Sequence, residues 1–220
     1  MLESKVIKSF LYYRITIVNI MKKVLVLNPP SPDKSYINRD LMGGMGVKSD
    51  FGKDIASRLL SRIKSNLIKI PVIQLVYGAT LLKMHGFIIK VIDAVNEGKT
   101  LNDIMPGIKS FNPEYVLMAI SSSCFMYERD VVAASIKKEC SDAKIIVVGD
   151  MITEMPDQLV PWFDIGIMGE VENNILDICS GKNAKEIVSI LYQENGKVKH
   201  NAFAERLNKE KLEELPLPDW

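Results

Sequence analysis

Five short apolar runs, separated by stretches of helical character, constrain the fold of this 220-residue chain more than any other feature. The runs lie at residues 24–27, 87–92, 115–120, 144–148 and 164–168. They are rich in β-branched residues and apolar at consecutive positions, which indicates strands that are buried on both faces. The alternation predicts an α/β domain in which five parallel strands form one sheet with helices on both sides.

Helices are expected between these runs, and a different structure after them. Helical spacing and end signals predict helices over residues 71–85, 101–110, 127–140, 154–160 and 171–180. Further along, the Asn195-Gly196 pair predicts the turn of a β-hairpin within residues 187–200. The charged stretch 202–215 and the Pro-x-Pro spacer after it are typical of a linker. We therefore expect an N-terminal extension over residues 1–21, an α/β domain over 22–182, and a hairpin with linker over 183–220.

The N-terminal extension contains an apolar stretch, residues 10–20, that raises the question of a membrane anchor. The stretch includes Arg14 and is much shorter than the ~20 residues that a spanning helix needs. It also lacks the small-residue cleavage site of a signal peptide. Met21 stands directly before the first strand run. We expect a dispensable extension, or a start codon assigned too early, rather than a membrane anchor.

Charge and cysteine usage narrow the function classes. The formal net charge is +1, so neither a nucleic-acid nor a membrane partner is expected. The three cysteines, Cys124, Cys140 and Cys179, are odd in number and widely spaced, which indicates a reducing compartment and a cytoplasmic protein. With His85 and His200 they offer neither metal-ligand spacing nor a catalytic arrangement. No catalytic and no metal-binding residue is therefore assigned.

The longest interval without a predicted element follows the first strand run. Asn28-Pro29-Pro30 ends that run, and roughly 40 residues precede the helix that opens at Pro71. Intervals longer than ~12–15 residues in a compact domain are usually functional or disordered. Both interpretations stay open for this segment: an ordered cover over a ligand, or disorder in the absence of one.

Small and polar residues follow the strand runs. Right-handed crossovers place the carboxyl ends of parallel strands on one edge, where α/β proteins bind ligands. The residues predicted at that edge, together with the long segment after Pro30, are Asn28, Pro29, Pro30, Asp93, Ser121, Ser122, Ser123, Gly149, Asp150, Gly169 and Glu170. Such residues suit close backbone approach and hydrogen bonding to a ligand. No G-x-G-x-x-G follows the first run, and no G-x-x-x-x-G-K-[ST] occurs, which argues against a nucleotide-dependent enzyme.

An ordered set of motifs carries a resemblance to a known family. In chain order they are Val24-Leu25-Val26-Leu27-Asn28-Pro29-Pro30, the stretch 71–93, Ser121-Ser122-Ser123, Val147-Val148-Gly149, Gly169-Glu170-Val171-Glu172 and Leu215-Pro216-Leu217-Pro218-Asp219-Trp220. The set, covering roughly residues 22–220, strongly resembles the N-terminal cobalamin-binding domain of cobalamin-dependent radical S-adenosylmethionine (SAM) enzymes.

The resemblance implies a flavodoxin-like (Rossmann-like) three-layer domain with the corrinoid on the carboxyl edge of the sheet. The segment after Pro30 would lie against the lower face of the corrin, and the nucleotide tail would enter beside the strands. The cofactor-binding residues it implies are Asn28, Pro29, Arg39, Gly43, Gly44, Met45, Ser121, Ser122, Ser123, Gly149, Asp150, Gly169 and Glu170. The long segment has no histidine and the D-x-H-x-x-G motif is absent, so cobalamin would bind without a protein imidazole on cobalt. Asp150 also departs from the glycine pair that relatives often carry.

The implied function is that of a cofactor module. Radical-SAM relatives continue into a barrel with C-x-x-x-C-x-x-C, a motif that does not occur here, so no iron–sulfur cluster is expected in this chain. We expect a cobalamin-binding domain of a radical-SAM methyltransferase-type enzyme, not catalytic by itself, with a separate radical-SAM domain or chain as partner. The alternative is a flavodoxin-like interaction or regulatory domain that has lost the cofactor, which Asp150 and the missing histidine favour.

Overall fold

A computed structural model describes residues 21–32, 53–67, 71–121, 124–149, 151–159 and 162–218. Its strands are β1 (Lys23–Asn28), β2 (Ile88–Asp93), β3 (Tyr115–Ala119), β4 (Lys144–Val148), β5 (Ile165–Ile167), β6 (Ile190–Glu194) and β7 (Lys197–His200). They form one sheet in the order β2-β1-β3-β4-β5-β6-β7. The neighbouring pairs among β1 to β5 are parallel, which confirms the predicted parallel sheet.

The strand order reverses between β1 and β3. Strand β1 pairs with β2 on one side and with β3 on the other. After β1 the chain adds β2 on one side of it. The chain then crosses to the other side of β1 and adds β3, β4 and β5 there in sequence order. This is the flavodoxin-type 2-1-3-4-5 order, whose ligands bind at the carboxyl ends of the two strands at the reversal.

The C-terminal hairpin continues the same sheet. Strand β6 pairs antiparallel with β5, and β7 pairs antiparallel with β6. Its turn is formed by Asn195 and Gly196, both at positive φ, as the Asn-Gly pair predicts. The predicted hairpin is confirmed, but the sheet has seven strands rather than five because the exposed edge of β5 accepts the hairpin.

Helices cover the two faces of the sheet. The α-helices are α1 (Ile55–Leu67), α2 (Ile73–Met84), α3 (Ala94–Glu97), α4 (Leu101–Phe111), α5 (Phe125–Tyr127), α6 (Ala134–Glu139), α7 (Met151–Glu154), α8 (Ile175–Ser180) and α9 (Lys209–Glu213). A π-helix (Glu128–Ala133) joins α5 to α6, and 3-10 turns lie at Pro156–Leu159, Val171–Asn173 and Ala184–Glu186. No helix in the described ranges is long and apolar enough to cross a membrane.

Helix α1 lies inside the interval for which the sequence predicts no element. Asp54 caps its start by accepting hydrogen bonds from the Ser57 N–H at 2.9 Å and hydroxyl at 2.5 Å. These bonds lower the pKa of Asp54. The apolar side chains of Ile55, Leu59 and Ile63 recur at four-residue spacing on the helix, where they are exposed. The expectation of a continuous loop up to Pro71 is therefore wrong over residues 55–67.

Each central strand sends alternate side chains into two separate cores. Leu25 and Leu27 of β1 enter one core, together with apolar residues of α4, the π-helix and α6. Val24 and Val26 enter the other, together with apolar residues of α2 and α8. Because both faces are buried, neither alternate set can be polar, and this accounts for the unbroken apolar runs. The result is a three-layer arrangement with the strand ends free to form a site.

Candidate ligand site at the carboxyl edge of the sheet

The structure describes six of the predicted cofactor-binding residues, and strand direction places them on one edge. Asn28 ends β1 and Pro29 follows it, while the other four lie just after β3, β4 and β5: Ser121, Gly149, Gly169 and Glu170. The remaining seven lie outside the described residues: Arg39, Gly43, Gly44, Met45, Ser122, Ser123 and Asp150. Their contacts with a ligand stay predictions.

Asn28 links the ends of β1 and β2. It stands opposite Asp93 in the parallel ladder and donates from Nδ2 to Asp93 Oδ1 at 2.8 Å. Asp93 in turn caps α3, because its carboxylate accepts from the Asn96 N–H at 3.1 Å and the Asn96 Nδ2 at 2.6 Å. Asp93, a residue predicted at the edge, therefore holds β1, β2 and α3 together.

The same edge carries polar atoms that are buried without a partner in the described part of the chain. Asn28 is 4% exposed, and its Oδ1 atom accepts no hydrogen bond there. The hydroxyl oxygen of Ser31, three residues further on, is buried and unpartnered in the same way. A buried acceptor left unpaired costs about 1–3 kcal/mol, so both atoms suit a donor supplied by a ligand or by a neighbouring segment.

Ser121 is held by a carboxylate beneath it. The Glu128 side chain is 0% exposed and accepts from the Ser121 N–H at 2.8 Å and from its hydroxyl at 3.2 Å. Both donors of Ser121 are therefore engaged inside the protein, and its hydroxyl oxygen remains as an acceptor for a ligand. Sequence reasoning missed Glu128, because a carboxylate at that place in a helix is typical of a solvated surface.

A glycine is required at position 149, where the backbone segments that follow β3 and β4 lie close together. The Ile120 N–H donates to the Val148 carbonyl at 2.9 Å, which extends the ladder beyond β3. Gly149 has φ of +139°, and a Cβ atom there would lie 2.3 Å from the Ile120 carbonyl oxygen. The absence of a side chain at this position serves the close approach of two backbones.

Glu170 contacts the C-terminal segment of the chain. Its Oε2 atom accepts from Asn173 Nδ2 at 3.2 Å and from the Leu207 N–H at 3.3 Å. Burial raises the pKa of neighbouring Glu172, and the charge of Glu170 adds to that rise. The carboxylate of Glu170 thus ties a distant part of the chain to the carboxyl edge.

Ser189 fixes the start of that segment. Its N–H donates to the Ala202 carbonyl at 2.8 Å, and its hydroxyl accepts from the Ala204 N–H at 2.5 Å. Its own carbonyl accepts from the Met168 N–H at 2.8 Å, directly after β5. Residues 201–207, most of which fall in the predicted linker, therefore run from the end of β7 across the carboxyl edge towards β5.

Removing the Glu170 carboxylate should loosen this segment. We expect Glu170→Ala to raise the exchange rate of the Leu207 amide about fivefold to tenfold, the effect of losing one hydrogen bond of about 1 kcal/mol. Hydrogen–deuterium exchange resolved by NMR measures it. Glu172→Ala, which removes a carboxylate two residues away, serves as the control. Unchanged Leu207 exchange in Glu170→Ala would show that the contact does not hold the segment.

Two of the three cysteine thiols, those of Cys140 and Cys179, are poorly suited to chemistry at this site. Burial raises the pKa of Cys179 to about 12. Burial also raises the pKa of Cys140, and the Glu139 charge contributes. Both thiols are therefore protonated at neutral pH and unreactive as nucleophiles. Among the residues that the structure describes, no three or more His, Cys, Asp and Glu side chains group closely enough to hold a metal ion.

One curated protein and several solved structures are similar to this chain. No protein-family profile matches the chain. An uncharacterized methyltransferase of Pyrococcus horikoshii is 29% identical over 157 residues, which are 68% of this chain and 33% of the relative. The chain thus spans about a third of the length of that relative.

Two solved structures share the fold. The cobalamin-dependent SAM radical enzyme OxsB, with aqua-cobalamin and S-adenosylmethionine bound, aligns with a TM-score of 0.57 and 21% identity, over 69% of this chain and 22% of OxsB. The radical SAM methyltransferase TsrM from Kitasatospora setae, with cobalamin and a [4Fe-4S] cluster bound, aligns with a TM-score of 0.50 and 16% identity, over 87% of this chain and 30% of TsrM. These likenesses confirm the α/β fold.

Proposed function

We propose that this chain is a cobalamin-binding domain of the kind that serves radical-SAM methyltransferases. The observation that carries the proposal is the buried, unpartnered Oδ1 atom of Asn28, at the strand-order reversal where flavodoxin-type sheets take their ligands. The ordered motifs of the sequence support it. The cobalamin bound in the solved structures of OxsB and TsrM adds to that support.

The described residues fit such a cofactor in chemical type. A corrin ring carries amide side chains, whose N–H groups are donors for the unpartnered oxygens of Asn28 and Ser31. Gly169 has φ of +82°, and a Cβ atom added there would meet nothing within 4 Å, so the space after β5 is open. With Ser121 and Gly149, these residues would hold the cofactor. When bound, cobalamin supplies organometallic or radical reactivity, while the protein binds, orients and shields it.

The partner in this proposal is a radical-SAM domain, on the same polypeptide or on a separate chain. The relatives are three to five times longer than their alignments with this chain, which span 33%, 22% and 30% of them. The contacts of segment 201–207 support a partner domain near the site, because they keep this part of the chain along the carboxyl edge of the sheet. A partner joined there would face the cofactor.

A cofactor-free interaction domain is the second candidate. Both donors of Ser121 are satisfied within the protein, as they would be in a domain with no ligand to bind. One measurement, the affinity of the protein for a corrinoid, distinguishes the two candidate functions.

Binding of hydroxocobalamin tests the proposal. We expect the purified protein, mixed anaerobically with hydroxocobalamin, to co-elute with a corrinoid absorption band on gel filtration. Asn28→Ala should weaken the affinity about tenfold, as expected for one lost hydrogen bond. Asn102→Ala removes an exposed amide on α4 and is the matched control. No co-eluting band from the unaltered protein would refute the proposal and favour the interaction domain.

A further inference from the structure

A fully buried carboxylate lies at the exit of β3. Glu128 is 0% exposed and belongs to the helical stretch that packs beside the sheet. Glutamate is almost never fully buried unless it is paired, because removing its charge from water is costly. The neighbouring positions of the same helical layer carry apolar residues, namely Val132, Ala133 and Ile136. Packing alone would therefore favour an apolar residue at position 128, and the carboxylate indicates a specific role.

Glu128 is bonded to the first residue after the strand extension. Its two oxygens take the N–H and the hydroxyl of Ser121, at 2.8 and 3.2 Å. The Glu128 N–H donates to the Cys124 carbonyl at 2.9 Å, and the Cys124 N–H donates to the Ser121 carbonyl at 3.3 Å. Side-chain and backbone bonds thus tie Ser121 to Cys124 and Glu128, so the carboxylate fixes the position of Ser121 after β3.

An unusual helical geometry places this carboxylate. The six residues Glu128–Ala133 form a π-helix between α5 and α6. Such segments are rare, appear mostly as single wide turns within α-helices, and are frequent at functional sites. Here the π-helix begins at Glu128, the residue whose side chain reaches back to Ser121.

We infer that Glu128 is a positioning residue for cofactor binding: it holds Ser121 at the exit of β3 so that the Ser121 hydroxyl oxygen can accept a hydrogen bond from the corrinoid. The inference rests on the proposed function. Glu128 itself need not contact the ligand.

Glu128→Gln tests the inference with little change in side-chain size. Its amide oxygen can still accept from the Ser121 N–H, but its amide nitrogen cannot accept from the Ser121 hydroxyl, so that second bond is lost or reversed and the hydroxyl oxygen is no longer held as an acceptor for the ligand. We expect the affinity for hydroxocobalamin to fall at least about tenfold, measured well below the melting temperature of the variant. Asp130→Asn makes the same carboxylate-to-amide change at an exposed position two residues away, and should alter the affinity by less than about twofold.

A double-mutant cycle separates positioning from general loss of stability. If Glu128 acts through Ser121, then Ser121→Ala and Glu128→Gln together should weaken binding less than the product of their separate effects. The absorption spectrum of the bound corrinoid should also shift in Glu128→Gln, because a Ser121 hydroxyl held differently changes the surroundings of the ring. Affinity within about twofold of the unaltered protein, or independent effects in the cycle, would overturn the inference.

Failure of the proposed function has a different signature. If the unaltered protein binds no hydroxocobalamin, the proposed function and a role for Glu128 in cofactor binding both fall. Exchange of the Ser121 amide then still shows whether Glu128 holds the exit of β3. If the unaltered protein binds hydroxocobalamin and the Glu128→Gln variant binds it with the same affinity, the proposed function stands and the positioning role of Glu128 falls.

Discussion

Gly149→Ala is expected to destabilise the protein by about 3–5 kcal/mol, the combined cost of backbone strain and overpacking. The alanine Cβ would lie 2.3 Å from the Ile120 carbonyl oxygen, and the residue would keep a φ of +139°. The obstructing atom belongs to the backbone of the neighbouring strand, so it cannot rotate away as a side chain would. Urea unfolding, followed by circular dichroism, measures the loss.

Gly169→Ala is the matched control for this prediction. Gly169 also has positive φ, at +82°, but a Cβ atom there would meet nothing within 4 Å. Its substitution should therefore cost only the strain of the left-handed backbone, about 1–2 kcal/mol. Equal losses in the two variants would mean that the contact with Ile120 is relieved by movement of the strands.

The same contact limits the use of Gly149 as a probe of the site. The resemblance to cobalamin-binding domains implies that Gly149 lines the slot for the nucleotide tail, so a bulky residue there, as in Gly149→Trp, would be expected to fill the slot and abolish binding. The structure shows that any side chain there collides with Ile120 first. Loss of binding in a Gly149 variant would therefore report on folding, and Asn28 and Glu128 are better probes.

Asn28→Asp should destabilise the protein by about 3 kcal/mol at neutral pH, in the range for an unpaired buried charge. Asn28 is 4% exposed and its Nδ2 atom lies 2.8 Å from Asp93 Oδ1. The substitution replaces this donor with a second carboxylate oxygen. Two carboxylates in one buried place repel, which raises the pKa of the pair in the folded state.

The sign of the pH dependence follows from that raised pKa. The folded variant would bind more protons than the unfolded chain, so its stability should fall as pH rises through the raised pKa. The deficit relative to the unaltered protein should shrink as pH falls towards the ordinary carboxyl range. Unfolding free energies measured across the acidic range test this, and a deficit that does not change with pH would contradict it.

Asn96→Asp provides the comparison at lower burial. Asn96 is half-buried and donates to the other oxygen of Asp93 at 2.6 Å. The same substitution there should cost only about 1 kcal/mol, because solvent screens the new charge. The difference between the two variants measures the effect of burial at the end of β1.

Much of the fold could be predicted because its signals are local. The strands are apolar at consecutive positions since both faces are covered, and the hairpin turn follows from Asn195-Gly196. Helix α1 also has local signals, namely Asp54 at the cap and Ile55, Leu59 and Ile63 at helical spacing. The sequence analysis missed this helix because the residues before it are polar and include several glycines, which favoured a continuous loop over the whole interval.

The candidate site was predictable only in outline. Strand direction by itself puts Asn28, Ser121, Gly149 and Gly169 on one edge, and the sequence sufficed for that. It did not reveal that Glu170 bonds to Leu207, because the two are far apart in the chain and meet only after β5 has paired with the hairpin.

The sequence by itself determined that five strands run parallel and that their carboxyl ends carry small and polar residues, because burial on both faces constrains residue type position by position. Only the tertiary structure decided what those residues do. Gly149 lacks a side chain because the Ile120 backbone approaches it, and both donors of Ser121 are bonded to Glu128. These roles depend on distances between segments that the sheet and its helices bring together, and no local pattern encodes such distances.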